Sequence, residues 1–239
     1  SNGTLSAISG SGVTRTAVFT PTAGVNSGTA SISVSAGAYQ DAAGNSGSAG
    51  GSPSLTLDTL APTISAMALS SSTGVLNTYL NEGDTANVSV SFNEVVNLDV
   101  TAGSPTVALL VGSSTVQATY VSGAGSNTLV FTTTIAAGQN DADGIAIALN
   151  ALSLNGAVLT DAAGNTSVPT AAAVSSNSAY MVDTLAPNVS VAFNVASLKA
   201  GETATLTVTV VTPPSLAASL NLVTSQVGTT TPITSVITG

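Results

Sequence analysis

Three short motifs occur twice in the 239 residues, each pair separated by nearly the same distance. Asp41-Ala42-Ala43-Gly44-Asn45 returns unchanged as Asp161-Ala162-Ala163-Gly164-Asn165, an offset of 120. Asp58-Thr59-Leu60-Ala61-Pro62 returns as Asp183-Thr184-Leu185-Ala186-Pro187, an offset of 125. Gly83-Asp84-Thr85-Ala86 is echoed by Gly201-Glu202-Thr203-Ala204, an offset of 118. Offsets this close to one another mean a tandem module of roughly 120 residues.

Within a module the period is two. Ala86, Val88, Val90 and Phe92 alternate with Thr85, Asn87, Ser89 and Ser91. Ala204, Leu206, Val208 and Val210 alternate with threonines, and Ala30, Ile32, Val34 and Ala36 alternate with Thr29 and serines. Leu129, Phe131, Thr133 and Ile135 form a weaker row. One apolar face and one Ser/Thr face is the pattern of a half-buried antiparallel strand. Gly, Asn, Asp and Pro punctuate these runs as turn chemistry requires, and no segment sustains a 3.6 period. About seven short strands in about 120 residues predict an all-β, two-sheet sandwich of immunoglobulin-like type.

A strand, Asp-Ala-Ala-Gly-Asn, another strand, then Asp-Thr-Leu-Ala-Pro resembles the bacterial Ig-like repeats of very large secreted adhesins and biofilm-associated proteins. Residues Ala30 to Pro62 and Asp161 to Pro187 carry the likeness, and Leu198 to Ala204 resembles the start of the second strand of one such repeat type. The copies differ: Tyr39 precedes the first Asp turn where Leu159 precedes the second. The resemblance implies tandem Ig-like antiparallel β-sandwich modules in an extended rod, located outside the cell or at its surface. It also implies calcium at module junctions, since repeats similar to these commonly hold it there.

The phase of the repeats predicts three pieces: 1–58 as the C-terminal part of a module, 59–183 as a complete module, and 184–239 as the N-terminal part of a further one. One reading is a window from a longer array. The other is a chain whose early strands complete the late strands of a neighbouring copy, giving a head-to-tail fibre or surface layer. The partners expected are therefore neighbouring Ig-like modules, of the same or an adjacent chain. The N-terminus shows no initiator Met, basic segment or apolar signal run, so the chain reads as a mature piece or a fragment.

Only 13 residues are charged, 2 basic and 11 acidic, for a net charge of −9. Most acids sit at repeat motifs or expected loops. Alternate loops of a sandwich fall at opposite ends. That rule places Glu94, after the second strand, with Asp161 and Asn165 at the end facing the linker that carries Asp58. It places Glu82, Asp84, Asp141 and Asp143 at the other end, facing Asp183. Asp99 is the outlier. With so few cations, such clusters repel unless a metal neutralises them. Calcium takes 6–8 oxygen ligands from carboxylates, amides and carbonyls, whereas zinc normally wants the His or Cys that this chain lacks. The competing reading for each Asp is a plain Asx turn at a hairpin.

The same composition excludes other functions. One Arg and one Lys cannot neutralise a phosphate backbone, so no nucleic-acid partner is expected. No run of about 18 apolar residues exists, so no membrane insertion is expected. No imidazole or thiolate is available, Lys199 stands alone as an amine base, and Trp is absent from any sugar platform, so no enzyme is expected. Zero Cys fits either a reducing cytosol or a secreted chain without thiols. Gly10-Ser11-Gly12 and Gly123-Ala124-Gly125 read as hairpin turns. Phe19, Phe92, Phe131 and Tyr120 fall at core-like positions, and Tyr39 and Tyr180 near junctions. No receptor is specified.

Overall fold

The computed structural model describes residues 2–210, 220–223 and 234–237. The chain is all-β and divides into two compact units, Ser1–Thr184 and Leu185–Gly239. Among the described residues the only helical element is a 3-10 turn at Ser178–Tyr180, and no helix is long and apolar enough to cross a membrane.

The first 57 residues hold six short strands: β1 (Gly3–Leu5), β2 (Phe19–Pro21), β3 (Gly28–Ala30), β4 (Ser33–Val34), β5 (Gly50–Gly51) and β6 (Leu55–Leu57). They pair antiparallel as β1–β2, β3–β6 and β4–β5. The row Ala30, Ile32, Val34, Ala36, expected as one half-buried strand, is split between β3 and β4. Ile32 and Val34 are exposed at 41% and 46%. The strands of this region pair only in twos, and Phe19 of β2 reaches Ala30 and Ile32 across an open pocket without burying them. Among the described residues Leu57 is the one buried large apolar side chain before Pro62.

The core lies between Met67 and Val182. Its strands are β7 (Ile64–Thr73), β8 (Tyr79–Leu80), β9 (Thr85–Asp99), β10 (Thr106–Val111), β11 (Ser114–Ser122), β12 (Ser126–Thr134), β13 (Asn140–Asp141), β14 (Ala146–Ser153), β15 (Val158–Thr160) and β16 (Met181–Asp183). The large sheet runs β14-β10-β11-β12-β9-β15, with β7 also on β9, and a smaller sheet runs β13-β16-β8. Together they form a sandwich-like arrangement. Gly123-Ala124-Gly125 makes the β11–β12 hairpin, with Gly123 and Gly125 at φ of 110° and 82°. The rows in β9 and β12 behave as expected: Ala86, Val88, Val90, Leu129 and Phe131 are fully buried. Tyr120 meets Phe131 edge-on, ring centroids 5.8 Å apart.

Strand β9 is the organising element. Its residues 85–92 pair with β7, and its residues 97–99 pair with β15 along the same edge. On the other edge it pairs with β12, with a register shift between Ser126 and Thr128. Glu94 was expected in a loop after this strand, but it lies inside it. The even-numbered residues keep facing inward past Phe92: Val96 is buried and Glu94 and Leu98 are half-buried. The ladder continues because β12 pairs again at Val96 and β15 takes up residues 97–99 on the other edge.

In the second unit β17 (Val189–Phe193) pairs antiparallel with β18 (Leu206–Val210), from Val189↔Val210 to Phe193↔Leu206. Leu206 and Val208 are half-buried while Thr205, Thr207 and Thr209 are exposed. β19 (Leu220–Val223) pairs with β20 (Thr234–Ile237). The remaining residues of the further module expected over 184–239, namely 211–219, 224–233 and 238–239, lie outside the described residues.

Burial predicts where stability resides. Phe131→Ala removes a fully buried ring and is expected to cost about 3–5 kcal/mol in urea unfolding. Ile32→Ala, at an exposed position, is expected to change stability by about 0.5 kcal/mol or less.

Candidate metal centre

The Asp-Ala-Ala-Gly-Asn turn forms twice with the same bonds. In the second copy Asp161 Oδ1 accepts the Asn165 N–H at 2.8 Å and Oδ2 accepts the Asn165 side-chain amide at 2.6 Å. In the first, Asp41 Oδ1 accepts the N–H groups of Ala43 and Asn45 at 2.9 Å, and Oδ2 accepts the Asn45 amide at 2.8 Å. Gly44 and Gly164 have φ of 88° and 92°, a left-handed conformation that costs glycine nothing. The motif therefore folds as the same Asx-type loop in both copies. What differs is the surroundings. Asp41 is exposed, whereas Asp161 is 2% exposed and faces two other acids.

Those acids meet at a break in the β9 edge. β7 enters from the linker and begins at Ile64, where Asn93 N–H donates to the Thr63 carbonyl and Asn93 Oδ1 accepts the Thr63 N–H. β15 ends with Thr160 opposite Asn97, and Asn97 donates its amide to the Asp161 carbonyl at 3.3 Å. Glu94 lies between these two anchor points. The linker brings Asp58 over the gap, and Asp58, Glu94 and Asp161 each offer a carboxylate oxygen within 4.8 Å of the others. Opposite oxygens around one calcium ion are about 4.6–5.2 Å apart, twice its ligand distance, so the spacing of the group is compatible with one ion. Among the described residues no ion pair reaches these acids, and Arg15 is occupied by the Gly12 and Thr14 carbonyls.

The electrostatics match a site short of positive charge. Burial pushes the Glu94 carboxyl above its ordinary value, and the charges of Asp58 and Asp161 push it further the same way. Burial also acts upward on Asp161, but hydrogen bonds from Asn165, Gly164 and Ala163 outweigh it and hold that carboxyl below its ordinary value.

The other expected ligands are not gathered in this way. Among the described residues no group of three acids converges at the opposite end of the module. Asp141, expected in an open loop, lies in β13 at 4% exposure, and its carboxylate accepts N–H groups from Gly112, Asp143 and Gly144. Asp143 accepts the Ser176 hydroxyl at 2.8 Å. Asp84 closes the turn before β9 by accepting the Asn81 N–H at 2.8 Å, and Glu82 sits exposed in that turn. Asp183 lies in β16, paired through its backbone with Asn140. Asn165 is at the first site, but its amide nitrogen donates to Asp161 and to the Asp58 carbonyl, which makes it a brace.

Sequence reasoning missed several braces. Asn93 and Asn97 hold the two sides of the gap, and Ser167 donates its buried hydroxyl to the Pro62 carbonyl at 2.6 Å. Thr59 donates to the Thr22 carbonyl at 2.7 Å and accepts the Val25 N–H at 3.0 Å. Thr184 repeats the arrangement, donating to the Gln139 carbonyl and accepting from Gly138. The repeated pentapeptide already marked both threonines. Ser167 lies two residues past its own repeat, where the copies diverge, and carried no signal.

These features define a class: an all-β sandwich protein, Ig-like in architecture, with a structural acid cluster at a linker. A family model described as a bacterial Ig-like domain matches residues 1–57. No curated protein and no solved structure matches the chain. Bacterial Ig-like domains are typically structural rather than enzymatic and are common in surface and extracellular proteins.

The pH response of the site follows from the two shifts. Between 4.5 and its raised value, Glu94 holds a proton in the folded state that it has lost in the unfolded state, so stability falls as pH rises through that window. Asp161 acts oppositely: its contribution is present above 3.8 and is lost as pH falls through its depressed value. In calcium-free buffer the melting temperature of Glu94→Gln is expected to exceed wild type at pH 7 by about 2–4 °C. The two should converge near pH 4. Parallel melting curves across pH would contradict the assignment.

Proposed function

We propose that this chain is a structural stalk or spacer segment of an extracellular bacterial adhesin or biofilm-matrix protein, stiffened by calcium at a module junction. The observation that carries the reading is the convergence of Asp58, Glu94 and Asp161 at the linker. One of these acids comes from the linker, one from the inward row of β9 and one from the loop after β15. An ion bound by all three favours the docked linker by mass action. The bacterial Ig-like match over residues 1–57 supports the structural half of the proposal. The partners are neighbouring modules of the same or an adjacent chain, and the acidic balance leaves no role for nucleic acid.

Extracellular calcium modules bind at about 10⁻⁴–10⁻³ M, so about 10 mM calcium is expected to stabilise the unit by about 1.4–2.7 kcal/mol. Thermal unfolding with and without calcium measures this, and limited proteolysis across 58–63 should slow in parallel. Glu94→Gln is the cleanest control, because Glu94 makes only a 3.4 Å contact with Asn93. It is expected to lose most of the calcium response. A wild-type melting temperature indifferent to calcium would sink the proposal.

A second reading, the self-assembling fibre or surface-layer subunit, is favoured by apolar exposure. Leu5, Val18, Ile32 and Leu55 in the first 57 residues, and Val189, Val191 and Phe193 in β17, are open to solvent. Those faces suit further strands, supplied by the same chain or by another copy. Negative-stain images of the purified chain decide this: filaments support assembly, and discrete single particles at high concentration reject it.

A further inference from the structure

The linker Asp58–Pro62 is gripped from both sides by neutral groups. On the side of residues 1–57, Thr59 exchanges hydrogen bonds with Thr22 and Val25, and its N–H donates to the Val25 carbonyl at 2.7 Å. On the side of the core, the loop after β15 holds both ends of the linker. Asn165 donates to the Asp58 carbonyl at 3.2 Å and Ser167 to the Pro62 carbonyl at 2.6 Å. Ser167 is 3% exposed and Pro62 is buried. Proline has no N–H, so its carbonyl is its only backbone polar group. Buried without a donor, that carbonyl would carry a desolvation penalty.

The first copy of the loop shows the alternative. At an offset of 120, Gly47 stands where Ser167 stands, and Tyr39 where Leu159 stands. The backbone is the same: Gly47 N–H donates to Tyr39 O at 2.8 Å, as Ser167 N–H does to Leu159 O at 2.9 Å. A Cβ on Gly47 would lie 2.2 Å from the Tyr39 ring, so a side chain there displaces the ring from its present position. The two copies thus pair Leu159 with a reaching Ser167 and Tyr39 with Gly47.

We infer that Ser167 is an ion-independent latch that fixes the linker to the core. This goes beyond the calcium proposal. The latch opposes the repulsion of the three acids and holds the linker whether or not an ion relieves it.

Amide hydrogen exchange of the full chain in calcium-free buffer tests this. Peptides covering 58–63 are expected to exchange about tenfold faster, or more, in Ser167→Ala than in wild type, because a buried carbonyl loses its donor. Peptides from β9 and β12 should be unchanged. Ser167→Thr keeps the hydroxyl and should restore protection, while Leu159→Tyr with Ser167→Gly should reproduce the loss. Equal linker exchange in Ser167→Ala and wild type overturns the inference. So does failure of Ser167→Thr to differ from Ser167→Ala, which would assign the effect to packing. Wild type is its own control should the variants not fold: a linker unprotected without calcium and protected with it makes the hold ion-dependent, which also overturns the latch. A linker protected without calcium but unresponsive to it rejects only the calcium proposal.

Discussion

The burial of one row of side chains along β9 governs this structure. Ala86, Val88, Val90, Phe92 and Val96 are all at or below 3% exposure, and their Ser, Thr and Asn neighbours face outward. One strand can bury so much only if partners flank most of both edges, and β12, β7 and β15 together do this. Because β7 and β15 share an edge, a short gap is left between them. The junction is built in that gap.

Glu94 occupies an inward position because the strand does not end where its apolar run ends. A carboxylate there is costly, and two more acids beside it raise the cost. The structure surrounds them with donors: Asn93 and Asn165 donate to the Glu94 and Asp161 carboxylates, and Asn97, Asn165 and Ser167 donate to the carbonyls of Asp161, Asp58 and Pro62. The linker is thus held by neutral hydrogen bonds and opposed by like charge. Under the calcium proposal, a divalent cation would act on that balance and not on the hydrogen bonds that form the linker's seat.

The two copies of the Asp turn separate motif from site. Asp41 and Asp161 make the same loop with the same partners, so the pentapeptide encodes a turn. In front of the second copy stand a linker acid and an inward glutamate. The acids at the opposite end show the same lesson from the other side. Asp84, Asp141 and Asp143 are taken up by N–H groups and a hydroxyl, a use that loop position along the chain cannot distinguish from metal binding.

Much was legible from the chain alone. The period of two and the turn residues between the runs determined an all-β fold, because local alternation and turn chemistry are written residue by residue. The pairing of Asp58 with Glu94 and Asp161 was also within reach, since strand count places alternate loops at the same end. The continuation of β9 through Glu94, the splitting of the Ala30–Ala36 row and the braces at Ser167 and Asn97 were not. Each depends on which strand or loop lies alongside. A row of alternating residues becomes a buried strand only where a second sheet covers it, and a serine becomes a latch only where a buried carbonyl lies within reach.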